Sequence, residues 1–154
     1  MCGIAGWHNN NKIDDEIIAS IKEDLFHRGP DAQDHIRIDN SGLIHTRLSI
    51  LDLSPLGNQP ISDNSGTIHV VFNGEIYNHK KLREELVSKG YQFKSKTDSE
   101  VIPSLFKEYG SESFRMLHGM FSIALFDSES KDLYLVRDRL GINPLFYSID
   151  NNSF

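Results

Sequence analysis

The only cysteine of this chain stands at position 2, in the opening stretch Met1-Cys2-Gly3-Ile4-Ala5-Gly6-Trp7. With Met1 removed, Cys2 would carry a free α-amino group. Such a group, with a reference pKa of about 7.7–8.0, accepts a proton near neutrality, and a thiol of reference pKa about 8.5 is a strong nucleophile once deprotonated. One residue would then hold both nucleophile and base. Gly3 leaves room for a substrate beside it, and a strand starting at Ile4 would hold the terminus in place. The competing reading is a small buried hydrophobe opening a strand. Position by itself does not choose between them.

A thiol attacking a carbonyl needs donors aimed at the developing oxyanion, and Phe72-Asn73-Gly74-Glu75-Ile76-Tyr77-Asn78 can supply them. Asn73 closes an apolar run and Gly74 permits close backbone approach to a ligand. Asn-Gly is also a common hairpin turn, yet a helix start follows it here instead of a return strand. A free amino acid as substrate would ask for a guanidinium on its α-carboxylate and a carboxylate on its α-ammonium. With 16 basic and 22 acidic side chains in the sequence, spacing does not single out the pair.

These residues need a scaffold of mixed strands and helices. Ile4 to His8 suits a buried strand. Ile13-Asp14-Asp15-Glu16 reads as a helix start, with Asp14 as cap, Ile13 stapled to Ile18, and Ile17, Ile21 and Leu25 along one face. His27-Arg28-Gly29-Pro30 should stop that helix, with Gly29 as a left-handed cap. Strands are expected at His35 to Asp39, Leu43 to Leu51 and Thr67 to Asn73. Helices are expected at Asn78 to Lys89, closed by Gly90, and at Thr97 to Tyr109, closed by Gly110. The second opens on a Thr97-x-x-Glu100 capping box and carries Pro103, which demands a late start or a kink. Met120 to Phe126 and Leu133 to Val136 form a hairpin across a polar turn. Leu145 to Ile149 reads as a further strand and Asn151-Asn152 as the turn after it, so the chain is expected to stop inside a sheet.

At 154 residues the chain suits one domain, and its formal charge of −6 comes without a basic cluster able to track a phosphate backbone. Nucleic acid is not expected as a partner. A lone cysteine, no membrane-length apolar run and no leader-like start make a soluble cytoplasmic protein the default. The seven histidines, at 8, 27, 35, 45, 69, 79 and 118, do not share a ligand-like spacing with carboxylates, so no metal is expected.

Six short stretches carry a resemblance when taken in order: Met1-Cys2-Gly3-Ile4, His27-Arg28-Gly29-Pro30-Asp31, Arg47-Leu48-Ser49-Ile50-Leu51-Asp52, Asn73-Gly74-Glu75-Ile76-Tyr77-Asn78, Thr97-Asp98-Ser99-Glu100-Val101 and Arg137-Asp138-Arg139-Leu140-Gly141. Together they resemble the N-terminal glutaminase domain of class II glutamine amidotransferases, which are N-terminal nucleophile hydrolases. The Arg-Leu-Ser-Ile form points to the asparagine synthetase branch.

The resemblance implies an α+β fold, a four-layer αββα sandwich of two antiparallel sheets between helical layers, here truncated at its C-terminus. It implies hydrolysis of the L-glutamine side-chain amide through a Cys2 thioester. Asn73 and Gly74 would form the oxyanion hole, and Arg47 would bind the glutamine carboxylate. Asp98 with Glu75 would hold the α-ammonium, and backbone groups around Leu48 and Ile50 would line the pocket. His27 to Asp31 would be a structural loop. The domain would need no cofactor of its own. ATP and Mg would belong to a synthetase domain or subunit, absent here, that receives the ammonia; oligomers are possible, and aspartate is the first expectation for the acceptor. A noncatalytic glutamine-binding or assembly module, or a partner in sugar or antibiotic-precursor amidation, are the alternatives.

Overall fold

The computed structural model describes residues 1–8 and 13–149. β1 (Gly3–His8), β2 (Ala32–Ile38) and β3 (Ser41–Arg47) form one antiparallel sheet in the order β1-β3-β2. β4 (Ile61–Ser62), β5 (Ile68–Ile76), β6 (Gly119–Asp127) and β7 (Asp132–Arg137) form a second antiparallel sheet in that order. The helices are α1 (Asp15–Leu25), α2 (His79–Ser88), α3 (Val101–Tyr109) and the short α4 (Ser113–Met116).

Because side chains alternate along a strand, each sheet has two apolar faces to bury. On β3, Ile44 packs with Trp7 and with Ile18 of α1, while its neighbour Leu43 turns the other way, onto Val71, Ala124 and Phe126 of the second sheet. On β5, Ile68, Val70 and Phe72 face a large cluster with Leu82 and Leu86 of α2 and Val101, Ile102 and Leu105 of α3. Val71, on the opposite face of the strand, joins the cluster between the sheets. Every residue of β3 is buried in consequence.

Several local expectations give way to tertiary contacts. Asp14 caps α1 as expected, its side chain accepting the Ile17 N–H at 2.9 Å. The buried residue of that helix is Ile18, with Ile13 and Ile21 against the same cluster, and Ile17 is exposed. Gly29 is extended, at φ −152°, so it is not a left-handed cap. What requires glycine there is space: a Cβ would lie 2.3 Å from the Thr46 carbonyl. β2 begins at Ala32, earlier than expected, because its whole length pairs with β3.

β3 ends at Arg47 and not at Leu51, since Asp31 takes over the next backbone groups: its N–H donates to the Arg47 carbonyl at 3.0 Å and its carboxylate accepts the Ser49 N–H at 2.7 Å. α3 begins at Val101, which puts Pro103 in its first turn. The capping box does not form. The Glu100 carboxylate instead accepts the Lys94 and Ser95 N–H groups, and the Thr97 hydroxyl bonds the hydroxyls of Ser95 and Ser99. The β6–β7 hairpin forms as expected. Residues 145–149 are not a strand; they run without a ladder beside apolar residues of β1, β3, β6 and β7. The turn expected at Asn151-Asn152 lies outside the described residues.

Candidate active site

One solvent-connected cavity of about 120 Å³ is lined by Cys2, Arg47, Leu48, Ile50, Asn73, Gly74, Glu75 and Asp98, every site residue expected from sequence. They arrive from the start of β1, the end of β3, the second half of β5 and the turn before α3. Met1, Gln59 and Asn143 line it as well.

Cys2 is half-buried, and its sulfur sits against Leu48, accepting the Leu48 N–H at 3.4 Å with the Leu48 carbonyl 3.8 Å away. The terminus is held from behind. Arg28 Nε donates to the Cys2 carbonyl at 3.0 Å, and the Gly3 N–H donates to Thr46 Oγ1 at 3.2 Å. The 27–31 loop therefore ties down both Cys2, through Arg28, and the Arg47–Ser49 backbone, through Asp31.

Asn73 and Gly74 do not end a strand. β5 runs on to Ile76, with Gly74 opposite Phe121. Phe121 directs its N–H and its carbonyl to Asp138, away from β5, so the Gly74–Phe121 pair is not hydrogen-bonded. The Gly74 N–H must then point to the opposite edge of β5. On that edge the N–H of Phe72 donates to Gln59 Oε1 at 2.7 Å and that of Ile76 to Asp98 Oδ2 at 2.8 Å. Gly74 lies between them, its N–H directed at the cavity. Its φ of +153°, and the 2.1 Å that would separate an added Cβ from the Met120 carbonyl, restrict the position to glycine. The Asn73 side chain is buried, with Oδ1 lacking a protein partner.

Arg47 is buried, and its guanidinium already holds the 52–58 loop. Nη1 donates to the Ser54 carbonyl at 2.8 Å and Asn58 Oδ1 at 2.7 Å, and Nη2 donates to the Asp52 carbonyl. A guanidinium has five N–H donors, so two are left for a carboxylate in the cavity. The Asp52 carboxylate accepts the N–H groups of Lys96 and Ser54, which lower its pKa to about 2 and tie the loop to the turn before α3.

Asp98 is the buried acid of the site. Burial pushes its pKa up, against the Ile76 N–H and the nearby His79. The charge is thus held in the free protein at a cost, ready for a cation. Where a folded-state pKa lies above the ordinary value, stability is undiminished at low pH and is lost as pH rises through the folded value. Asp98→Asn keeps an acceptor for Ile76 and removes the charge. It is expected to raise the thermal midpoint by a few degrees at pH 7 and to leave it unchanged at about pH 3. A lower midpoint at neutrality would show that Asp98 stabilises the free fold. Among the described residues, no group of three His, Cys, Asp or Glu is placed to hold a metal, and no helix is long and apolar enough to cross a membrane.

Sequence reasoning missed Gln59, Asn143 and the acid behind the latter, Asp138. Gln59 gave no local signal, since its partner is the backbone of Phe72. Asp138 stood in a quoted motif without a role. Its carboxylate gathers the N–H groups of Ile142, Asn143, Phe121 and Leu140, which outweigh its burial and hold its pKa at about 2.

The fold is an α+β domain of two antiparallel sheets with a cysteine at the mouth of its cavity. A solved relative of that fold is glutamine phosphoribosylpyrophosphate amidotransferase from B. subtilis, complexed with ADP and GMP. It superposes with a TM-score of 0.59 at 23% identity, over 73% of this chain and 26% of that one. All of residues 1–154 match the glutamine amidotransferase domain family, and the chain belongs to it, as a class II member. It is 37% identical over 157 residues to asparagine synthetase [glutamine-hydrolyzing] 1 of Bacillus subtilis, covering 99% of this chain and 25% of that protein. It is 46% identical over 123 residues to the amidase chyE of Penicillium rubens, covering 80% of this chain and 18% of that protein. The chain thus spans about a quarter or less of the lengths of these curated relatives.

Proposed function

We propose that this domain hydrolyses the side-chain amide of L-glutamine and delivers ammonia to an amide-forming synthetase, asparagine synthesis from aspartate being the leading acceptor reaction. The observation that carries the reading is the convergence on one cavity of a thiol, an inward-facing glycine N–H, a buried guanidinium with two spare donors and a buried carboxylate. The three-cluster packing, with α1 on one sheet, α2 to α4 on the other and an apolar layer between them, supports the four-layer αββα arrangement of this family.

In the proposed reaction Arg47 takes the α-carboxylate and Asp98, with Glu75, the α-ammonium, while Leu48 and Ile50 line the pocket between them. The amide carbon is then presented to Cys2. The freed α-amine of Cys2 accepts the thiol proton, sulfur bonds to the carbon, and the negative charge moves to the amide oxygen, where Gly74 N–H and the Asn73 amide stabilise it. Collapse breaks the C–N bond, the proton passes to the leaving nitrogen, and ammonia departs. Water then cleaves the thioester, releasing glutamate and restoring the thiol.

The test is glutamate release from glutamine by the chain with Met1 removed. Release at the rate of buffer alone would favour a glutamine-binding module without chemistry. Asn73→Ala is expected to lower kcat by about 10²- to 10³-fold with the fold retained, the usual cost of losing one oxyanion donor. An unchanged kcat would confine Asn73 to a role in β5. The similarity to a fungal amidase keeps acceptors other than aspartate in view, and supplying candidate acceptors to the whole protein with ATP would distinguish them.

A further inference from the structure

Asn143 is almost fully buried, borders the cavity, and is placed by three contacts to its backbone. Its N–H donates to Asp138 Oδ2 at 3.1 Å, and its carbonyl accepts from Arg137 Nε at 2.8 Å and from the Ser122 hydroxyl at 3.3 Å. Held there, its side-chain Nδ2 donates to the Asn73 carbonyl at 3.0 Å and reaches the Met120 carbonyl at 3.3 Å. It therefore bridges β5 and β6 at the place where Gly74 adopts its positive φ and Met120 presses against it.

The Asn73 carbonyl and the Gly74 N–H are two ends of one peptide group. In a trans peptide they point in opposite directions, so a donor fixed on the carbonyl fixes the heading of the N–H. It also polarises the peptide, which strengthens the N–H as a donor. The neighbouring glycine has wide backbone freedom, and Asn143 adds a side-chain donor on the carbonyl side of this peptide to the ladder partner Ser122.

We propose that Asn143 is the positioning residue of the oxyanion hole, acting through the Asn73–Gly74 peptide to keep the Gly74 N–H aimed into the cavity. The inference rests on the glutaminase reading of the same cavity. Asn143 does not touch substrate in this role. It acts on the transition state, where negative charge reaches the Gly74 N–H, and leaves the Arg47 and Asp98 ends of the ground-state complex alone.

The test uses the Met1-free chain with Asn143→Asp, which keeps the size of the side chain and turns its donor into an acceptor. The kcat for glutamine hydrolysis is expected to fall about 10- to 100-fold while KM stays within about 2-fold. Affinity for glutamate γ-semialdehyde, whose adduct with the thiol places its oxygen in the same hole, should fall by the same factor as kcat. The backbone amide resonance of Gly74 should move in the ¹H–¹⁵N spectrum. An unchanged kcat, or a loss confined to KM, would overturn the proposal. Asn143→Ser is the second variant, and if neither variant folds, Asn143 is structural and the proposal fails. If the Met1-free wild type releases no glutamate, the glutaminase reading fails separately. The Gly74 resonance then judges the clamp alone, a shift supporting it and coincidence with wild type overturning it.

Discussion

Cys2→Ala is expected to reduce glutamate release to the rate of buffer alone while leaving the fold and thermal midpoint in place. The variant loses the only thiol in the chain, and with it the nucleophile that the proposed reaction needs. The structural cost is small for reasons visible around the sulfur. It accepts one long N–H bond from Leu48, at 3.4 Å, at the half-buried mouth of a cavity where water can replace it. The anchors of the terminus do not involve the side chain at all: Arg28 holds the Cys2 carbonyl, and Thr46 holds the Gly3 N–H. Circular dichroism and a thermal scan alongside the glutamate assay separate the two effects. Turnover persisting in a folded, mass-verified Cys2→Ala protein would end the thioester mechanism.

Which residues share the cavity was more legible than where the strands and helices end. Each of the site residues named from motifs borders the cavity, because the motifs place short-range demands, an N-terminal thiol or a glycine at close approach, that survive in the sequence itself. Boundaries were set elsewhere. Local signals end the strand at Asn73, yet pairing with distant β6, where Gly74, Glu75 and Ile76 lie opposite Phe121, Met120 and Gly119, carries it to Ile76. Likewise nothing near Leu48 says that β3 has stopped, since the groups that stop it belong to Asp31.

Polar residues that act on backbone atoms are the hardest to find by sequence. Asn143 and Gln59 have ordinary side chains in unremarkable surroundings, and each serves a carbonyl or N–H whose identity depends on the register of distant strands. The Arg137-Asp138-Arg139-Leu140-Gly141 stretch shows the intermediate case. Its glycine and charges mark a built turn, and the structure adds that the turn delivers Asn143 to the underside of β5.

Retention of Met1 is expected to leave a folded chain nearly inactive, and its removal to restore glutaminase activity. With Met1 attached, the Cys2 nitrogen is an amide whose lone pair is delocalised into the peptide bond, so it cannot accept the thiol proton. Met1 also borders the cavity beside Cys2, where substrate or water must enter. The fold has little to lose from the cleavage. Met1 is 59% exposed, and the contacts that seat the terminus begin at the Cys2 carbonyl. A general base is worth about 10²- to 10⁴-fold, which sets the expected gap in kcat between the two forms. Both termini can be prepared, confirmed by intact mass and assayed side by side for glutamate release at one pH. Equal turnover would show that the proton goes elsewhere, and with it would fall the physical reason for a cysteine at position 2.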